Sequence, residues 1–199
     1  FHLIKQQYPD YKTASLIDWY PIDKYIVSKA DVRVGFEAHG SDGYTVFDQH
    51  IADRAVKVLA EQNVRATMVY FGSTDETGHR YGFHPSIPQY MRCIEKVDQH
   101  VGRLVEAIKS RPTYQHEDWM ILISSDHGGE GKGHGSGHQV PTIHNIYLIV
   151  SGDSAEKGEF QGQVYLVDLV ATALKHLEVT LRPEWQLDGK PVGLLPRPQ

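Results

Sequence analysis

The sequence is poor in most of the features that mark a special class. Cys93 is its one cysteine in 199 residues, so the chain forms no internal disulfide and cannot build a thiolate-based zinc site. Charge of one sign is also missing. Lys plus Arg number 20 against 25 Asp plus Glu, a net charge of −5, and no basic run occurs, which argues against nucleic acid as the main partner. The longest apolar runs, Trp119–Ile123 and Ile146–Val150, fall far short of the ~20 residues that a membrane span needs. No repeat, low-complexity tract or Pro/Gly/Ser linker divides the chain. It begins at Phe1 with neither Met nor a signal-like leader, so the expectation is a fragment or processed product whose own start is silent on localisation.

What is present is an ordinary globular composition, 40% hydrophobic and 23% charged. A chain of this length buries roughly 70% of its unfolded surface and needs no staple to fold. Histidine is the exception, with 12 in all, of which His127, His134, His138 and His144 crowd into one short stretch.

Short apolar runs alternate with helix-period segments, which predicts an α/β layer fold with a largely parallel sheet, a single domain over residues 1–199. The periodicity predicts a helix over 1–8, strands over 13–19 and 31–37, and a helix over 46–62 on Phe47, Ile51, Ala55, Val58 and Leu59. A β-rich run follows over 65–71. A long helix comes next, starting at Ser86 as N-cap and stopping at Pro112. Strands are predicted over 119–124 and 146–150, and a last helix over 166–177. In open α/β sheets, ligands bind beyond the carboxyl ends of the strands. Three of these strands are flanked by unusual polar clusters.

Directly after the 65–71 strand stands Gly72-Ser-Thr-Asp75-Glu-Thr-Gly78-His79, read as a glycine-containing loop. Asp75 and His79 can offer a carboxylate oxygen and an imidazole nitrogen to one cation, and Zn²⁺ accepts both at about 2.0–2.2 Å. The alternative for Asp75 is a helix cap, with His79 on the surface. After the 119–124 strand comes Ser125-Asp126-His127-Gly128-Gly129, where glycine permits a sharp turn that aims both side chains at one point. The alternative is a turn whose Asp bonds its own backbone. His134, His138 and His144 precede the next strand, as one or two ligands, as donors that orient ligands, or as surface residues. Carboxylate and imidazole together, without thiolate, suit two divalent ions, Zn²⁺ or the harder Mn²⁺. Two metals close together form a clamp for in-line displacement at phosphorus.

At these residues the chain resembles the alkaline phosphatase superfamily, most closely its type I phosphodiesterase/nucleotide pyrophosphatase branch. The resemblance runs from about Asp48 to Gly189. It is carried by Asp75-x-x-x-His79-x-x-Gly82, by Ser125-Asp126-His127-Gly128 and by His134-Gly135 leading through Pro141 into a strand. Val97-Asp98, Val167-Asp168-Leu169 and Leu187-Asp188-Gly189 add to it. The resemblance implies a layered α/β/α fold with a largely parallel central sheet, incomplete on its N-terminal side. It implies that Asp75, His79 and His134 hold one metal, with His138 as the fallback for His134, and that Asp126 and His127 supply ligands to the other. It further implies hydrolysis of a phosphate ester or nucleotide-like small molecule, and a periplasmic or extracellular setting. Family members carry their nucleophile, an Asp-accompanied Thr or Ser, N-terminal to everything seen here. Thr13, Ser15 and Ser41 lack that context, so the nucleophile is expected upstream of Phe1 and no catalytic residue is assigned within the chain.

For substrate contact the sequence offers Lys132 in the glycine-rich 128–135 loop, His84 and His144. Two alternatives share the metal motifs. One is a phosphomonoesterase, phosphonate hydrolase or sulfatase-type member, and the other a non-catalytic metal-binding paralogue. Oligomeric state is not legible.

Overall fold

The computed structural model describes residues 1–35 and 41–196. Two compact units emerge. The first holds residues 1–114 together with 129–136, and the second holds 115–128 with the chain from 137 onward.

The first unit is built on a parallel three-stranded sheet. It starts with the short helix α1 (His2–Gln7), followed by β1 (Thr13–Ile17), a π-helical turn over Ile22–Ile26, and β2 (Val32–Gly35). Next come α2 (Ser41–Glu61), β3 (Ala66–Tyr70), α3 (Ser73–Tyr81) and α4 (Pro88–Lys109). β1 is the central strand, paired in parallel with β2 on one side and β3 on the other. Every residue of β1 is buried, as expected of a parallel strand covered on both faces. Ala14 and Leu16 pack against Ile51, Ala55 and Val58 of α2, while Ile17 joins Ile22 and Val27 on the opposite face. The register sets Ile17 beside Tyr70, so the chain leaves β1 and β3 at one end of the sheet.

The first-unit elements match the sequence expectations to within a few residues, apart from the start of the long helix and the segment around Asp75. Phe36 and Glu37 of the predicted second strand lie outside the described residues. α4 is capped by Ile87 with Pro88 as its first residue, a position where the missing N–H is no loss. Ser86, predicted as the cap, instead bonds His84 Nδ1 through its hydroxyl (2.7 Å) and its N–H (3.1 Å). The segment read as a loop around Asp75 is the helix α3.

The second unit contains β4 (Met120–Ser124), the single turn α5 (Pro141–His144), β5 (Leu148–Gly152) and α6 (Asp168–His176). β5 starts two residues later than its apolar run, and β4 and β5 pair antiparallel, from Met120–Gly152 to Ser124–Leu148. The parallel expectation therefore holds for the first unit's sheet and not for this pair. The motif residues 167–169 and 187–189 meet here for structural reasons. Asp168 is buried and accepts hydrogen bonds from the N–H groups of Tyr165 and Lys190, both at 2.8 Å. A Cβ at Gly189 would overlap the carbonyl of Val167. Among the described residues, no helix is long and apolar enough to cross a membrane.

Candidate metal centre

Past β3, Gly72 caps α3 and places Asp75 and Glu76 in its first turn, where a negative charge suits the helix N-terminus. Residues four apart lie on one helical face, so Asp75 and His79 point the same way. His79 Nε2 stands 3.4 Å from Asp75 Oδ2. The 129–136 segment brings the third group. Gly131 accepts a 2.7 Å hydrogen bond from the Phe83 N–H and takes a left-handed φ of 57°, while Glu130 and Gly133 exchange backbone bonds of 2.9 and 3.1 Å. This tight turn sets His134 Nε2 at 3.6 Å from Asp75 Oδ1 and 3.0 Å from His79 Nε2.

These three donors fit a divalent cation. Ligands about 2.1 Å from a tetrahedral zinc stand roughly 3.4 Å from one another; the two imidazole nitrogens are 3.0 Å apart, and the Asp75 carboxylate faces His79 with Oδ2 at 3.4 Å and His134 with Oδ1 at 3.6 Å. Asp75 Oδ1 is out of contact with water and has no hydrogen-bond donor, a cost that a cation would remove. His79 Nδ1 lies 3.0 Å from the carbonyl oxygen of Lys132. A carbonyl only accepts, so Nδ1 carries the hydrogen and Nε2 keeps its lone pair turned toward Asp75 and His134.

Phe83 props the pair from the side. Its ring meets His79 edge-on at 5.4 Å and His134 at 6.3 Å between centroids. A Cβ at Gly78 or at Gly129 would overlap that ring. Two glycines that read as loop signals are therefore spacers for an aromatic wall.

Behind α3 lies a group that the sequence did not single out. Asp18, one residue past β1, and Asp48 of α2 are 0% and 2% exposed. One N–H, that of Gly72, donates to both, at 3.2 Å to Asp18 Oδ2 and 3.1 Å to Asp48 Oδ1. Ser73 Oγ hydrogen-bonds Asp48 Oδ2. Burial, then the hydrogen bond and the charge of Asp48, push the Asp18 carboxyl up to about 9. The signal in the sequence is a carboxylate, Asp18, inside the strand-like run over 13–19.

In the second unit, Asp126 and His127 follow β4. Asp126 Oδ1 accepts the His127 N–H at 3.1 Å, and His127 Nε2 lies 3.7 Å from Asp126 Oδ2. His127 Nδ1 bonds the Gly128 carbonyl at 2.9 Å, the same tautomer logic as at His79. Gly128 has no room for a side chain against the Thr142 carbonyl, and its N–H donates to Ile143 O at 2.8 Å. His138 lies on a 3-10 turn over Gly137–Gln139, and His144 ends α5. Both are exposed, as is the Lys132 side chain. His84 is held in its own loop by Ser86.

The chain has counterparts among known proteins. The family model for type I phosphodiesterase / nucleotide pyrophosphatase matches residues 4–138. The chain belongs to that family. Among individual members of the wider group, human ectonucleotide pyrophosphatase/phosphodiesterase family member 7 is 33% identical over 91 residues, covering 46% of this chain and 19% of that protein. An uncharacterized pyrophosphatase/phosphodiesterase of Schizosaccharomyces pombe is 25% identical over 140 residues, covering 67% of this chain and 28% of that one. The 2,3-bisphosphoglycerate-independent phosphoglycerate mutase 2 of Methanosarcina acetivorans is 27% identical over 144 residues, covering 70% and 25% respectively. The type I phosphodiesterase match thus takes in Asp75, His79, Asp126, His127, His134 and His138, while each relative extends far beyond the part that aligns.

Proposed function

We propose that this chain is the metal-binding portion of a hydrolase that cleaves phosphodiesters or pyrophosphates of nucleotide-like small molecules. The observation that carries the reading is the convergence of Asp75, His79 and His134 at spacings suited to one divalent ion, within a chain of the type I phosphodiesterase family. Asp126 and His127 are assigned to a second ion, and zinc, with manganese as the harder alternative, suits both donor sets. Divalent ions held in this way would supply Lewis acidity and lower the pKa of bound water from 15.7 to about 7.

The chain's own contribution is placement. Lys132 O holds the His79 ring in the tautomer that presents Nε2, Phe83 fixes the slant of both imidazoles, and the first turn of α3 carries Asp75. The attacking hydroxyl is assigned to a part of the enzyme outside residues 1–199, since the family resemblance places it N-terminal to the Asp75 motif, and Thr13 and Ser15 are fully buried in β1. The aligned parts amount to 19–28% of the relatives named above, which leaves ample length for it.

Metal analysis of the full-length protein, with and without Asp75→Ala, tests the site. Loss of one equivalent of zinc in the variant is expected, and unchanged stoichiometry overturns the assignment. Turnover of bis-p-nitrophenyl phosphate above p-nitrophenyl phosphate and p-nitrophenyl sulfate is the expected substrate order. Preference for the monoester or the sulfate moves the enzyme to another branch of the superfamily, and metal uptake without turnover marks a non-catalytic paralogue.

A further inference from the structure

The buried acid pair behind α3 has no cation among the described residues to balance it. Among the described residues, no Lys, Arg or His lies within ion-pair distance of Asp18 or Asp48, and the nearest donors are one N–H and the Ser73 hydroxyl. Asp18 Oδ1 is fully buried and has no hydrogen-bond partner among the described residues. Two full negative charges sharing one N–H in a dry pocket repel each other and have lost their hydration, a state that carboxyl groups relieve by binding a proton between them.

We propose that Asp18 and Asp48 hold one proton in common and, as a singly charged pair, seat the first turn of α3, so that both act as positioning residues for Asp75 and His79. The positioning half rests on the metal reading above, whereas the shared proton does not. The contacts fit this role. Gly72 N–H and Ser73 Oγ are the first donors of α3, and both end on the pair. Cys93 of α4 extends the chain, donating to Ser73 Oγ at 3.2 Å. The Tyr44 ring covers Gly72 so closely that a Cβ there would overlap it, and the same Cβ would stand 3.2 Å from Asp18 Oδ1. A remaining negative charge at this point also favours the helix N-terminus. Among the described residues, the titratable groups near the pair include Tyr44 on α2, Asp75 and Glu76 on α3, and Cys93 and His100 on α4. None of these groups supplies a fixed positive charge.

Asp18→Asn and Asp18→Leu in the full-length protein separate the two halves of the proposal. Asn keeps a hydrogen-bonding group opposite Asp48 but has no proton to lose, and Leu removes the hydrogen bond. The folded wild type holds a proton that its unfolded chain releases above the ordinary carboxylate range. Its folding constant should therefore fall toward tenfold per pH unit relative to Asp18→Asn between pH 5 and 8. Parallel stability curves for the two proteins overturn the shared proton.

Zinc affinity reads the positioning. Asp18→Asn should stay within about threefold of wild type, while Asp18→Leu should bind zinc at least about tenfold more weakly. A folded Asp18→Leu with wild-type affinity overturns the positioning role. If Asp18→Leu does not fold, Ser73→Ala replaces it, with weaker zinc binding and an unchanged pH slope expected, and wild-type zinc affinity again overturning the role. A wild-type protein that takes up no zinc overturns the metal reading together with the positioning half, and the pH slopes still decide the shared proton.

Discussion

His100 is a buried imidazole on α4 whose two ring nitrogens have no hydrogen-bond partner. Burial, then the nearby Lys96, lower its pKa from the ordinary 6.5, with Arg103 acting the same way and Asp48 and Asp53 of α2 opposing. The unfolded chain therefore binds a proton that the folded chain refuses. Stability is full above pH 6.5 and drains away as the pH falls below it toward the lowered value. His100→Phe, which can stack on Phe71 as the imidazole does at 5.5 Å, should lose less stability than wild type between pH 7 and 5. Denaturant melts at the two pH values check this, and equal losses would show that His100 takes up its proton as readily in the folded chain as in the unfolded one. At this scale Asp75, His79 and His134 were legible because Asp and His at strand ends are chemically conspicuous. Phe83, Asp18 and Asp48 were not, since their contacts with the site and with α3 are tertiary and no spacing along the chain records them.

α3 shows what the reading of elements misses and why. Two glycines within eight residues suggested a loop, because a helical glycine costs about 1 kcal/mol relative to alanine. The helix forms because Gly72 can lie under Tyr44 and Gly78 under Phe83, where a side chain would collide. Gly78→Ala therefore sets a propensity gain of about 1 kcal/mol against overpacking of typically 1–3 kcal/mol. The expected outcome is a net loss of about 1 kcal/mol and weaker zinc binding, because Phe83 is pushed toward His79. Calorimetric zinc titration alongside thermal melts checks both, and a more stable variant with unaltered affinity would mean that Phe83 moves freely. The core positions Ile51, Ala55, Val58 and Leu59 of α2 were legible from periodicity, whereas on α4 the fully buried side chain is His100, which no apolar pattern marks. The direction of β5 was not legible either, since an apolar run reads the same whichever way its strand is paired.

For the molecule as a whole, the course of the chain decides what a metal would stabilise. The polypeptide leaves the first unit after Tyr114, returns for residues 129–136 and leaves again. That returning segment is tied to α3 by Phe83 N–H to Gly131 O, by His79 to Lys132 O and by the approach of His134 to Asp75. A cation shared by Asp75, His79 and His134 would join residues more than fifty positions apart, so its binding energy falls on the docking of this segment. A ligand that binds only the folded state adds about 2.7 kcal/mol at a free concentration of 100 Kd. At roughly 2–4 °C per kcal/mol for a chain of this size, zinc should raise Tm by about 5–11 °C over chelator-treated protein. Asp75→Ala should lose most of that rise. The same linkage predicts a local effect. Lys132 is exposed on the segment, and tryptic cleavage after it should slow at least about tenfold when zinc is added to the wild type and little in Asp75→Ala. Equal cleavage rates with and without zinc would place the metal elsewhere, because an ion held by His134 cannot bind without fixing the eight residues that carry it.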